Sequence, residues 1–274
     1  MKTLQELTLL DKFLFDEAME DKETYEALLR IILGEEQLRL LSEAETEKEL
    51  RTMPWLKSIR VDVFSMDTIG TIYNTEMQKE RREDLIRRMR FYQALIDSSL
   101  LPPGEVNYNK MANTTIIMIM PFDLFGKGRY VYTFEEVCIE ELDLFMNDGA
   151  KRLFINTHGK NKEDFSPEFI ALMEFIEYNQ SKDTEIKNDN LKRIVNRVSQ
   201  IKSSEKVGVR YMQRWEEEAI IKHDAHEEGR AEGREEERLV SVKNVMRSFK
   251  VTAEQAMESL GIPEGEYEKY LSKL

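Results

Sequence analysis

Asp62 and Glu76 are the residues of this chain whose types and spacing could do chemistry. They lie in RVDVFSMDTIGTIYNTEMQ, residues 60–78, which has the pattern of two short strands joined by a tight turn. Val61 and Val63 alternate with Asp62, residues 65–70 (SMDTIG) supply turn-forming types, and residues 71–78 alternate again. Successive side chains of a strand point to opposite faces, so Asn74, Glu76 and Gln78 share one face and Thr71, Tyr73, Thr75 and Met77 the other. Folded back as a hairpin, the strands bring Asp62 up to Glu76. Two close carboxylates raise each other's pKa unless a cation sits between them. A hard divalent ion such as Mg²⁺, held by one or two carboxylates with water and a substrate phosphate, suits such a pair, and that combination hydrolyses phosphodiesters. The same alternation also describes a two-stranded ribbon with polar residues on its wet face.

The elements needed to hold this hairpin can be read around it. Residues 1–34 repeat Phe13, Leu14, Phe15, Met19, Leu28, Leu29, Ile31 and Ile32 near helical spacing and end at Gly34, a C-cap type. Residues 37–50 (QLRLLSEAETEKEL) fit a strand or a charged helix, and a strand over 37–45 would give the sheet a third neighbour; Pro54 marks a loop. Residues 79–93 read as an arginine-rich helix with Leu85, Met89, Tyr92 and Ile96 on its buried face and Arg81 and Arg88 outward, stopped by Pro102-Pro103-Gly104. TTIIMIM, residues 114–120, has no alternation and suits a central strand buried on both faces. FDLFGKG (122–128) is a loop carrying aromatics, and Tyr130–Phe134 and Leu153–Asn156 are further strand candidates around a charged, partly helical stretch. From Pro167 onward the pattern is helical: 167–179, 183–204, and a long helix from about 204 to 249 whose run from His223 to Glu237 reads as an exposed or mobile connector weakened by two glycines. A capping box at Thr252 opens two small helices around Gly261. The order helix, strand, strand, strand, helix, strand gives an α/β protein with a mixed sheet flanked by helices.

Composition sets the outer limits. The chain has 274 residues, 41% hydrophobic and 34% charged, as for a globular protein with charged surface helices. No apolar run is long enough to cross a bilayer, and the opening MKTLQELTLLDKF, interrupted by Glu6 and Asp11, is not expected to be a signal peptide. Cys138 is the single cysteine, which excludes a disulfide framework and fits a cytoplasmic location. A net charge of −13 argues against a protein that coats nucleic acid non-specifically, while leaving room for a local basic surface.

The ordered set VDVF with Asp62, YNTEMQ (73–78) and RMRFYQ (88–93) resembles the PD-(D/E)xK nucleases, in particular their transposase-associated branch, the Rpn-type recombination-promoting nucleases. IMIMPFDLFGKGRYVYTF, NDGAKRLFINTHG and EEGRAEGREEER extend the resemblance over nearly the whole chain. It implies a restriction-endonuclease-like αβββαβ core over 1–160, a helical extension over 161–222, a charged connector over 223–250 and a helical tail over 251–274. It implies a metal-dependent endonuclease acting on DNA, with a link to recombination or transposition and a possible homodimer. Asp62 and Glu76, with the Met77 backbone carbonyl, would bind Mg²⁺, with Mn²⁺ able to substitute. Gln78 stands where the superfamily has a water-orienting lysine; an amide can hydrogen-bond that water but adds no positive charge. Lys79 is next along the strand and points to the other face. Arg88, Arg90, Tyr92 and Gln93 match the family's basic-helix word, with Phe91 in place of its first tyrosine, and imply phosphate contacts from Arg88 and Arg90. The proline of PD is replaced by Val61. A non-catalytic DNA-binding or partner-binding protein on the same fold is the alternative, and an RNA nuclease a third.

Other polar residues are assigned ordinary roles. Asp67 belongs to the turn. Asp11, Asp16, Glu17 and Glu20 lie in the first helix, where some superfamily members keep an acidic residue near the metal. His158, His223 and His226 form no ligand set, and no phosphate-binding glycine loop, nucleophile elbow or Cys/His pair is present.

Overall fold

Side-chain capping decides how the chain begins. A computed structural model describes residues 2–50, 59–179 and 188–274. The helical run expected over 1–34 is broken into α1 (Lys12–Met19) and α2 (Lys22–Leu33), because the Asp21 carboxylate accepts the Thr24 N–H at 2.9 Å and caps a new helix. Gly34 ends α2 in the left-handed conformation, φ 70°, as the C-cap pattern predicts.

The strand expected over 37–45 is displaced. Residues 38–41 instead run beside the following turn, with Leu40 buried, while β1 is Glu45–Leu50, an edge strand whose polar ETEKEL sequence suits partial exposure. β2 (Ile59–Met66) and β3 (Ile72–Met77) form the expected hairpin. Its turn is shorter than the sequence suggests: Ser65 and Met66 still pair with Tyr73 and Ile72. The Asp67 carboxylate gathers the turn, accepting the N–H groups of Ile69 (3.0 Å) and Thr71 (2.8 Å) and the Tyr73 hydroxyl (2.9 Å), while Gly70 takes φ 89°. Pro54 lies outside the described residues.

The basic helix, α3, is Leu85–Leu100 rather than starting at Lys79, since Leu85 is the first side chain in the run with a core to enter. β4 (Thr114–Met120) is buried along its whole length. β5 (Val131–Phe134) and β6 (Ala150–Asn156) follow. The stretch between them, expected to be partly helical, is a loop closed by a bridge between Val137 and Phe145. The six strands lie in the order β1-β2-β3-β4-β6-β5. β3, β4 and β6 are mutually parallel; the β1/β2, β2/β3 and β5/β6 pairs are antiparallel.

One face of this mixed sheet is covered by α3. Leu85, Met89, Tyr92 and Ile96 pack on Phe64, Ile72, Ile116, Met118, Met120 and Phe154, so the helical stripe read from the sequence is the one that is buried. On the other face α2 docks through the buried hydroxyls of Tyr25 and Thr75, 2.8 Å apart. α4 (Pro167–Tyr178) and α5 (Asp189–Ser203) pack against α2, and Arg197 of α5 donates to the Glu17 carbonyl at 3.1 Å. These helices therefore belong with the sheet in the first of two compact units, Met1–Gly208. Residues 183–187, expected to begin a helix, lie outside the described residues.

The second unit, Val209–Leu274, holds most of α6 (Glu205–Phe249) together with α7 (Ala253–Ser259) and α8 (Tyr267–Leu271). α6 runs through Gly229 and Gly233 without a break, so the charged connector is an exposed helix. Pairs such as Arg230–Glu227 at 3.8 Å offset part of the glycine penalty. Val242, Ala256, Met257, Ile262 and Tyr270 form a small core of their own, and the Thr252 capping box is formed. No helix among the described residues is long and apolar enough to cross a membrane.

The Asp67 turn generates a prediction. Asp67→Ala leaves two backbone N–H groups and a buried tyrosine hydroxyl without their acceptor, and should destabilise the first unit by about 2–4 kcal/mol. Urea denaturation of wild type and variant checks it.

Candidate functional site

At the end of the hairpin away from the turn the backbone ladder gives way to side chains. The β2/β3 register ends at Val63 paired with Thr75, and Asp62 and Glu76 are the next residues beyond that pair. The Asp62 N–H donates to Glu76 Oε1 at 3.0 Å, and the Met77 N–H donates to Asp62 Oδ2 at 3.1 Å. Asn74 adds its side-chain amide to Glu76 Oε1 at 3.1 Å. Both carboxylates are buried, 6% and 5% exposed, so the hairpin does bring the two predicted residues together and shields them from water.

The cation beside them is one that the sequence reading missed. Lys12, in the first turn of α1, places its ammonium on Asp62 Oδ1, and the same nitrogen lies 3.7 Å from Asp16 Oδ2 and 3.8 Å from Glu47 Oε1. Among the acidic residues of the first helical segment, Asp16 is thus the buried one that reaches the site through Lys12. The i,i+4 spacing of Lys12 and Asp16 was the available signal. Burial works to lower the Lys12 pKa, but the charges of Asp62 and Asp16 outweigh it and hold the ammonium above its ordinary value. Glu76 moves the other way. Burial first, then the neighbouring Asp62 charge, push its carboxyl up to about 8, against the pull of its hydrogen-bond donors and of Lys12.

α3 closes another side. Arg88, expected to point outward, is half-buried; its guanidinium donates to Gln78 Oε1 at 3.2 Å and to the Tyr92 hydroxyl at 2.7 Å. Burial and the Glu76 charge raise the Tyr92 pKa, which places this pair within the field of the carboxylates. Gln78 has its other end fixed too, with Nε2 donating to the Glu80 carbonyl at 2.5 Å. Lys79 turns away to Asp11 at 2.6 Å.

Two predicted residues do not join this group. Gln93 is buried against Thr114 and Asp97. Thr114 pairs with Ile72, four residues along β3 from Glu76 and so roughly 13 Å away at the usual strand rise. Arg90 is exposed on the opposite flank of α3 from Arg88. Helical spacing put Arg88, Arg90, Tyr92 and Gln93 in one sequence word, but a 100° step per residue distributes them around the helix.

Among the described residues no three His, Cys, Asp or Glu side chains form a metal-binding group. Asp62 and Glu76 are an all-oxygen pair, which fits an ion that keeps several waters, as Mg²⁺ does. Chemically the two carboxylates could hold a hard cation, with the Lys12 ammonium and the Arg88 guanidinium as the neighbouring positive groups.

No protein-family model matches this chain, and neither a curated protein nor a solved structure matches it.

The raised Glu76 carboxyl fixes a pH dependence. The folded, metal-free chain keeps a proton that the unfolded chain releases near 4.5, so stability falls as pH rises from about 4.5 to about 8 and levels off above that. Glu76→Gln should flatten this slope. Urea titrations in EDTA from pH about 5 to about 9 measure it.

Proposed function

We propose that the chain is a metal-dependent DNA endonuclease built on a restriction-endonuclease-like core, with Asp62 and Glu76 as its metal-binding pair. The observation that carries this reading is a pair of buried carboxylates on β2 and β3, each accepting a backbone N–H of the other strand, with Arg88 on the neighbouring Gln78. Support comes also from Met77, whose carbonyl leaves the strand on the same edge as the N–H given to Asp62. A bound Mg²⁺ or Mn²⁺ would neutralise the pair, lower the pKa of a bound water and offset charge on the scissile phosphate. In the reaction the water oxygen bonds to phosphorus, one ester P–O bond breaks, and the leaving oxygen takes up a proton.

The chain's own groups divide the remaining work. Arg88 is held at the site edge by Gln78 and Tyr92 and serves as the phosphate contact. Gln78 brings no charge, and Lys12 is the side chain whose ammonium reaches the same carboxylates. Lys12 thus takes the electrostatic part that a lysine at position 78 would have taken. A cation entering the pair meets Lys12 already seated on Asp62 Oδ1 and must displace it or use another lone pair.

A second reading, a DNA-binding protein without catalysis, draws on one specific observation: both ends of the Gln78 amide are engaged within the protein. Cleavage separates the two. Supercoiled plasmid incubated with Mg²⁺, Mn²⁺ or EDTA should be nicked only with metal, and Asp62→Ala and Glu76→Ala should each lower the rate by roughly 100-fold or more. Arg88→Ala should retain the metal requirement with a smaller loss. Plasmid left intact by folded wild type, with DNA binding preserved, selects the second reading.

Lys12 supplies an independent check. Lys12→Met removes the ammonium from two buried carboxylates and should destabilise the protein in EDTA by about 1–3 kcal/mol. Added Mg²⁺ should restore more stability to the variant than to wild type, as followed by thermal unfolding. An equal metal effect on both proteins would place the ion elsewhere.

A further inference from the structure

On the other flank of α3 from Arg88 lies a groove of about 210 Å³ whose floor is aromatic. Phe125, Phe134 and Phe154 meet there with ring centroids 5.0 to 5.6 Å apart, and the Phe125–Phe154 and Phe134–Phe154 pairs are edge-on. Phe134 remains 43% exposed, an unusual position for a ring so close to a core, and Ile86 beside it is 54% exposed. Arg87 and Arg90 of α3 and Arg152 of β6 rim the groove. The Arg152 Nε–H is buried and finds no acceptor among the described residues, and the Glu136 carboxylate is 4.0 Å from its Nη1. In a chain of net charge −13, three guanidinium groups around an open aromatic floor complement a ligand that is flat, apolar and anionic at one end.

α3 connects this groove to the carboxylate site. With Leu85, Met89, Tyr92 and Ile96 facing the sheet, a 100° step puts Arg88 on one flank, Ile86 and Arg90 on the other, and Arg87 and Phe91 on the crest between. Arg87 and Phe91 are both exposed. The flanks of a helix lie about 10–12 Å apart, a span of about three stacked nucleotides or fewer unstacked ones. The nearby loop keeps its own acid occupied: Asp123 accepts from the N–H groups of Phe125, Gly126 and Gly128 and from the Tyr132 hydroxyl.

We propose that this groove receives an unpaired base of the DNA strand, a few nucleotides from the phosphate held at Asp62 and Glu76, with the base on Phe134 and its phosphate on Arg90 and Arg152. A base inside a duplex cannot reach such a floor without leaving its stack, so the substrate class is DNA with a single-stranded segment. The position of the strand rests on the nuclease reading; the groove's preference for an unpaired base does not.

The test uses the full chain in EDTA, so that nothing is cut. A fluorescent single-stranded oligonucleotide and the duplex of the same sequence are titrated with wild type, Arg90→Ala and Phe134→Ala, and anisotropy is read. Arg90→Ala and Phe134→Ala should each weaken single-strand binding about fivefold or more and leave duplex binding within about twofold. Arg90 is exposed and Arg90→Glu decides the matter if Phe134→Ala fails to fold. Equal losses on both DNA forms, no loss on either, or no single-strand binding by wild type overturn the proposal. Tighter binding of the matching RNA, lost in the same variants, overturns the assignment to DNA. Groove variants that keep single-strand affinity while wild type cleaves plasmid would sink the groove and leave the nuclease; the expected binding pattern without any cleavage would do the reverse.

Discussion

Burying two carboxylates opposite each other on neighbouring strands costs several kcal/mol per ion unless donors and cations offset it. At Asp62 and Glu76 the offset is assembled from backbone N–H groups of the same two strands, the Asn74 amide and the Lys12 ammonium. Each of those donors comes from an element whose own placement is fixed elsewhere. The strands are fixed by the hairpin turn, and Lys12 by the packing of α1 against β1 and β2. The architecture of the first unit can therefore be understood as the set of contacts that keeps one acidic pair tolerable.

Register is the part of this that admits no compromise. Side chains alternate along a strand, so a slip of one residue between β2 and β3 would exchange Asp62 for Val61 or Val63 and send the carboxylate to the opposite face. The Asp67 carboxylate opposes such a slip from the far end of the hairpin by holding the turn and the first residues of β3 together. Parallel pairing with β4 holds β3 from its other side, and the Gln78 N–H continues that ladder to the Ile119 carbonyl at 2.9 Å. The placement of the acidic pair at one end of the hairpin thus depends on an acid at the other end that does not touch it.

How much of this was legible depended on whether the signal was local. The hairpin, the buried run of β4, the apolar stripe of α3 and the caps at Gly34 and Thr252 are written in alternation, spacing and turn types, and the structure has them. Element edges were set by non-local partners and were misplaced: β1 follows its pairing with β2, and α3 waits until Leu85 can enter the core. Asp62 and Glu76 could be paired because a hairpin makes sequence distance into spatial contact. Lys12 could not, since fifty residues separate it from Asp62 and no period links helix to strand. Arg90 and Gln93 share a sequence word with Arg88, and the helix wheel places them on other sides of α3. The exposed helix through Gly229 and Gly233 shows propensity overridden by length and by charge pairs.

Lys12 has a consequence for the order of events in the life of the chain. Many acidic centres are incomplete until their ion arrives, so that folding and loading are one equilibrium. Here helix α1 brings a positive charge to the pair as part of the polypeptide itself. Assembly of the sheet need not wait for an ion, and a newly made chain can reach its native register wherever divalent ions are scarce. On the proposed metal-dependent reading, loading is then an exchange of one cation for another on a finished scaffold.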